Sequence, residues 1–243
     1  MKHLRFILPV VLCCVVAGLM TSCLNDNNDD NGLSKEEQLQ AFQTVRGNYS
    51  GDVIFYKNTY DGMSTPTKKD TVTLKASFSL LTDSTAHINN LPLAALANQI
   101  KDSKVAEAVM NGTVTTTPVN LYTYYYVVSP ATCLVGADYV EVKATYDGEE
   151  HTIRFGFYSG ITTGTTVSYG IYDSTAGIFQ IGLRLGAVWV DGTDKSSELL
   201  FSDRVHGIII LNGKRYSPLR PHPLFAALRG PFPPKKMERV RLL

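Results

Sequence analysis

The side chains that could do chemistry in this sequence are thinly spread. His87, His151, His206 and His222 are scattered, with none at a short metal-ligand spacing to another His or Cys. A zinc site needs three or four converging ligands, so neither a metal nor any other cofactor is expected. Asn27, Asp29, Asn31 and Gly32 stand at positions 1, 3, 5 and 6 of a calcium-loop pattern, but position 12 is Gln38 rather than a bidentate Glu. Gly-rich phosphate loops, Gly-x-Ser-x-Gly elbows and Ser-x-x-Lys pairs are absent. The sequence therefore offers no catalytic residues, and a non-enzyme is expected. Glycoside hydrolysis or an inhibitor role, with site residues dispersed along the chain, is the alternative. The most suggestive run is Tyr122-Thr-Tyr-Tyr-Tyr126. On a strand, Tyr122, Tyr124 and Tyr126 share one face and Tyr125 takes the other. A tyrosine offers an apolar ring to stack on a sugar or lipid and a hydroxyl that stays wet. These three are the candidate ligand-binding residues, for a glycan or a small apolar ligand.

Charge is distributed unevenly. The 23 Lys+Arg nearly balance 22 Asp+Glu overall, yet residues 24–214 carry 14 basic and 21 acidic residues. An acidic body lacks the positive face that phosphate binding needs, so no nucleic acid partner is expected. Seven basic residues and six of the eleven prolines fall in 215–243. That composition reads as a disordered tail, dispensable for folding.

The N-terminus carries the most specific motif. Lys2 and Arg5 precede an apolar run at 6–20, too short for a comfortable helical span, which takes about 20 residues. It fits the h-region of a secretory signal. The run meets Met20-Thr21-Ser22-Cys23, which resembles the lipobox of bacterial lipoproteins. The resemblance implies removal of a signal peptide, 1–22, and acylation of Cys23, so that palmitate holds the chain to a membrane. With Cys13 and Cys14 gone and Cys23 modified, Cys133 alone remains and no intramolecular disulfide can form. The acidic, Asn-rich tether 23–33 resembles the surface-export signal of Bacteroidota lipoproteins. That implies an outer-membrane protein exposed on the cell surface. Asp83-Ser84-Thr85 and Asp173-Ser174-Thr175 resemble the O-glycosylation acceptors of the same bacteria, with Ser84 and Ser174 as the modified residues.

A single domain, 34–214, must position these groups. Ser34-Lys-Glu-Glu37 is a capping box, and Leu39, Phe42 and Val45 recur at helical spacing, so 34–46 is a short amphipathic helix. Alternation from 71 to 80 predicts a half-buried strand. Asp147-Gly148 predicts a type I′ hairpin between 138–146 and 150–158, in a register that sets Glu141 against Arg154 and Val142 against Ile153. Further strands are expected at 49–57, 113–128 (broken at Pro118), 165–173, 178–190 and 203–212. In 178–190, Phe179, Ile181, Leu183, Leu185, Ala187 and Trp189 share one face. A helical insert opens at Pro92 and is divided near 101–103. The fold expected is mainly β (α+β): an antiparallel barrel or sandwich with a short N-terminal helix and a helical insert near 92–110. Gly47-Asn-Tyr-Ser-Gly51 resembles the first strand of calycin-like barrels. Over residues 15–214 the order of motifs is similar to an uncharacterised family of small Bacteroidota lipoproteins, a resemblance that implies no activity.

Overall fold

A computed structural model describes residues 32–60, 64, 66–159, 161–162, 165–166, 168–201 and 206–216. Cys23, most of the acidic tether and the chain beyond 216 lie outside the described residues. Among the described residues no helix is long and apolar enough to cross a membrane.

The chain opens with helix α1 (Lys35–Val45), whose capping box forms as expected: Ser34 Oγ accepts from the Glu37 amide, and the Glu37 carboxylate accepts from the Ser34 amide at 2.9 Å. Strands β1 (Gly47–Tyr56), β2 (Thr71–Leu80), β3 (Thr85–Pro92), β4 (Thr116–Val127) and β5 (Thr132–Ala137) follow as an antiparallel meander. Helices α2 (Leu93–Ala97) and α3 (Ser103–Met110) interrupt it between β3 and β4, with the break where expected. Asp102 caps α3 by accepting from the amides of Lys104 and Val105.

Next come the hairpin β6 (Val140–Tyr146) and β7 (Glu149–Tyr158), then β8 (Ile161–Thr162), β9 (Thr165–Thr166), β10 (Tyr169–Asp173), β11 (Ile178–Val190), β12 (Thr193–Asp194), the short α4 (Ser196–Leu199) and β13 (Ile208–Tyr216). Eight strands close a barrel in the order β1–β2–β3–β4–β5–β10–β11–β13 and back to β1. The fold is a barrel and not a sandwich. Along one edge, β11 changes partner: residues 178–182 pair with β10 and residues 184–190 with β7. The Ser168 hydroxyl stitches the junction, donating to the Tyr158 carbonyl at 2.6 Å and accepting from the Arg184 amide at 3.1 Å. The β6–β7 register is the one the Asp-Gly turn predicts, with Asp147 and Gly148 both at positive φ (51° and 87°). Val140, Ala144 and Ile153 of the hairpin and Val105 and Val109 of α3 are buried, and α3 packs on β6.

The barrel interior is filled by its own side chains. Tyr49, Phe55, Phe78, Tyr125 and Phe179 are all 2% exposed or less, and Tyr49 stacks on Phe78 with ring centroids 5.1 Å apart. Eight-stranded barrels are wide enough either for packed side chains or for one small ligand; this one has the packed interior.

Several expected elements shift. β4 is not broken at Pro118, because that residue lies opposite a bulge in β3, between Ile88 and Leu91, where no ladder donor is required. The last strand is β13, later than the expected 203–212, and it ends at Tyr216, two residues past the expected domain boundary of 214. The largest correction concerns β11. Its register shifts between Leu185 and Ala187, so Gly186 is an extra residue and the alternation inverts. Phe179, Ile181, Leu183 and Leu185 face inward, but then Val188 is buried, while Ala187 and Trp189 turn to the outer face.

Candidate functional site

That inversion builds a site. On the outer face of the β6–β7–β11 sheet, Glu141, Arg154 and Trp189 lie side by side on three adjacent strands. The indole of Trp189 meets Gly156 with the edge of its six-membered ring: a Cβ at 156 would stand 2.7 Å from Cζ3 and 2.9 Å from Cη2. Only glycine at 156 leaves that space, so the indole approaches the sheet closely there. A groove of about 410 Å³ opens here, bounded by Tyr139, Glu141, Thr152, Arg154, Phe157 and Trp189. Tyr139 is 58% exposed, and the Arg154 guanidinium sits 4.3 Å from its ring centroid. Arg154 also donates through Nε (3.3 Å) and Nη2 (2.8 Å) to Glu141 Oε2, which leaves Glu141 Oε1 open to the groove's solvent. That hydrogen bond holds Arg154 above the ordinary range for an arginine.

The rim is fixed by a second Asp-Gly turn, Asp191-Gly192, both at positive φ (49° and 81°). Asp191 accepts from His151 Nδ1 at 2.7 Å and from the Thr152 amide at 2.8 Å, while His151 stacks on Tyr146 at 4.0 Å. These bonds hold the Asp191 carboxyl below the usual aspartate range, the His151 bond first. They anchor the turn beside Thr152, so Thr152 and Gly192 form one wall.

The arrangement suits recognition of a flat, hydroxyl-bearing molecule: aromatic faces for apolar C–H surface, and a planar ion pair with spare lone pairs and N–H groups for hydroxyls. Among the described residues Glu141 is the one carboxylate lining the groove, and it is already ion-paired. The domain-of-unknown-function profile DUF4840 matches residues 44–190, more than half of the chain. The chain belongs to the DUF4840 family. No curated protein and no solved structure matches the chain. The DUF4840 match takes in every residue of the groove except Gly192, but stops before β13, the strand that joins β1 to β11 and closes the barrel.

The tyrosine run is placed as its alternation predicts, and outside the groove. Tyr122 and Tyr124 are exposed on the outer wall of β4, Tyr126 is half-buried beside a bulge, and Tyr125 is fully buried. Tyr122 donates to Asp138 at 3.1 Å, which raises its hydroxyl pKa and ties β4 to the residue before Tyr139. The Tyr125 hydroxyl has no hydrogen-bond partner among the described residues, and burial raises it strongly. Cys133 is fully buried and its thiol is pushed up to about 12, so it is a packing residue rather than a nucleophile. Ser84 and Ser174 are exposed at turns, Ser84 between β2 and β3 and Ser174 between β10 and β11. Among the described residues no three His, Cys, Asp or Glu side chains converge on a metal-sized site.

Sequence reasoning paired Glu141 with Arg154 but missed Trp189 and Tyr139. The signal available was Gly156 on the outward register of β7, which marks the close approach of something from a neighbouring strand.

Proposed function

We propose that this protein is a lipid-anchored binding module of the cell envelope that holds glycan chains in the groove over Trp189. The observation that carries the reading is the indole set against Gly156 beside the Arg154–Tyr139 stack. Aromatic platforms with a few convergent polar groups are the usual construction of a small-molecule site. Hydrolysis of the glycan would call for two carboxyl groups flanking the bond; among the described residues the groove lining supplies Glu141 alone, which favours binding over catalysis. A small apolar ligand inside a calycin-like barrel is disfavoured, since Tyr49, Phe78 and Phe179 occupy that volume.

The test is a glycan array probed with the full chain and with Trp189→Ala. Truncating a central aromatic anchor costs about 2 kcal/mol, so a bound glycan should lose roughly thirtyfold in affinity. An array with no bound glycan, or equal binding by the variant, rejects the groove.

Anchoring rests on the motif ending at Cys23 and the apolar run before it. We expect Cys23→Ser to leave an uncut precursor that takes up no labelled palmitate. Undiminished labelling would sink the lipoprotein reading, and with it the placement on the outer membrane.

A further inference from the structure

A second cleft adjoins the groove and contains a cation that no group among the described residues neutralises. It measures about 340 Å³ and is lined by Tyr158, Arg184, Gly186, Ser197, Phe201 and His206, among others. Arg184 is half-buried, and among the described residues its guanidinium makes no hydrogen bond, ion pair or ring contact. The contrast with Arg154, paired to Glu141, and Arg215, bound to Tyr49, is plain. No carboxylate among the described residues reaches it. Partly desolvated N–H donors left open cost free energy until an acceptor arrives, and the planar fork of arginine matches a carboxylate or sulfate. The Tyr158 and Ser197 hydroxyls, also without hydrogen-bond partners among the described residues, offer further donors in the same cleft.

The two clefts share one floor. Arg154, Gly156 and Tyr158 point outward along β7, and Arg184 pairs with Tyr158 across the ladder. The Tyr158 ring covers Gly186, where a Cβ would stand 2.8 Å from it, while Trp189 meets Gly156 with its ring edge. The outer face therefore runs from Tyr139 on Arg154, through Trp189 and Tyr158, to Arg184. Four residues of strand separate Arg154 from Tyr158, roughly 13 Å, which is longer than one sugar ring and suits a short oligosaccharide.

We infer that this face takes an acidic oligosaccharide, its sugar rings on Trp189 and Tyr158 and a sugar-borne anion, a uronate carboxylate or a sulfate ester, on Arg184. The inference rests on the glycan reading of the groove and adds the class of glycan. It is tested with the full chain on arrays that carry uronate and sulfated oligosaccharides, each beside its carboxyl-reduced or desulfated counterpart. The acidic form of at least one pair should bind about tenfold or more tightly than its neutral form, as a charge-assisted bond implies. Whether the preferred pair is the uronate or the sulfate identifies the anion. Arg184→Gln should lower the acidic form to the level of the neutral one while leaving neutral binding unchanged, and Arg184→Lys should keep part of the preference. An unchanged thermal midpoint establishes that the Gln variant is folded. Equal binding of acidic and neutral forms, or an equal loss of both in Arg184→Gln, overturns the acidic site while leaving the groove standing. Failure of every glycan, acidic or neutral, overturns both readings.

Discussion

Replacing Phe179 with alanine should lower the unfolding free energy by about 3–5 kcal/mol, the range for emptying a buried aromatic site. Phe179 is fully buried at the start of β11, with its ring centroid 5.9 Å from Tyr49 and 6.3 Å from Phe78. The strand beside it cannot follow an inward collapse freely, because Gly170 of β10 already brings its backbone against the ring: a Cβ there would lie 2.8 Å from Phe179. Three rings from β1, β2 and β11 meet at this point, so the cavity would fall where the closing strands converge. Denaturant unfolding measures the loss, and Phe179→Leu should recover a large part of it. A loss below about 1 kcal/mol, the scale of surface substitutions, would show that the ring does not support the barrel.

The second large effect lies at the end of β13. A chain stopping at Lys214 should unfold with about 2 kcal/mol less free energy than one stopping at Tyr216, the scale of hydrogen bonds to a charged group. Arg215 donates from Nε (3.1 Å) and Nη2 (2.9 Å) to the Tyr49 hydroxyl and from Nη2 to the Thr44 carbonyl. Its guanidinium also lies 5.6 Å from the Tyr49 ring centroid and 5.5 Å from that of Tyr172. One side chain thus fastens the last strand to β1, to β10 and to the C-terminal turn of α1. Burial raises the Tyr49 hydroxyl and the Arg215 bond works against that rise. Comparing the two truncations by denaturant midpoint isolates Arg215 and Tyr216 from everything beyond them. Equal midpoints would show that the clasp contributes nothing.

Local patterns were legible where one residue type dominates the choice. Asp147-Gly148 sets the hairpin register because a two-residue turn with positive φ leaves one pairing open. Ser34 and Glu37 mark the helix start because each supplies what the other's backbone lacks. β3 escaped notice since Asn89-Asn90 interrupt its alternation at a bulge, and β5 since Thr132 and Cys133 are both buried in succession. The groove was hidden for a deeper reason. Period-two reading put Trp189 on the face of Phe179, whereas the extra residue at Gly186 sends it to the other side, and a bulge is decided by the partner strand. Tyr139 and Trp189 then line one groove, each beside Arg154 of β7, a juxtaposition that no single segment contains.

The packed interior separates two sets of residues that many binding proteins must share. In a barrel that encloses its ligand, the same wall positions answer to both packing and recognition, and a change of ligand is a change of core. Here Tyr49, Phe78 and Phe179 answer to packing, whereas Tyr139, Arg154, Tyr158, Arg184 and Trp189 stand on the outer wall. Surface substitutions away from core contacts usually shift stability by less than about 0.5 kcal/mol. The outer wall can therefore be rewritten during divergence with little cost to folding, so that chains keeping this barrel are free to differ in what that wall presents.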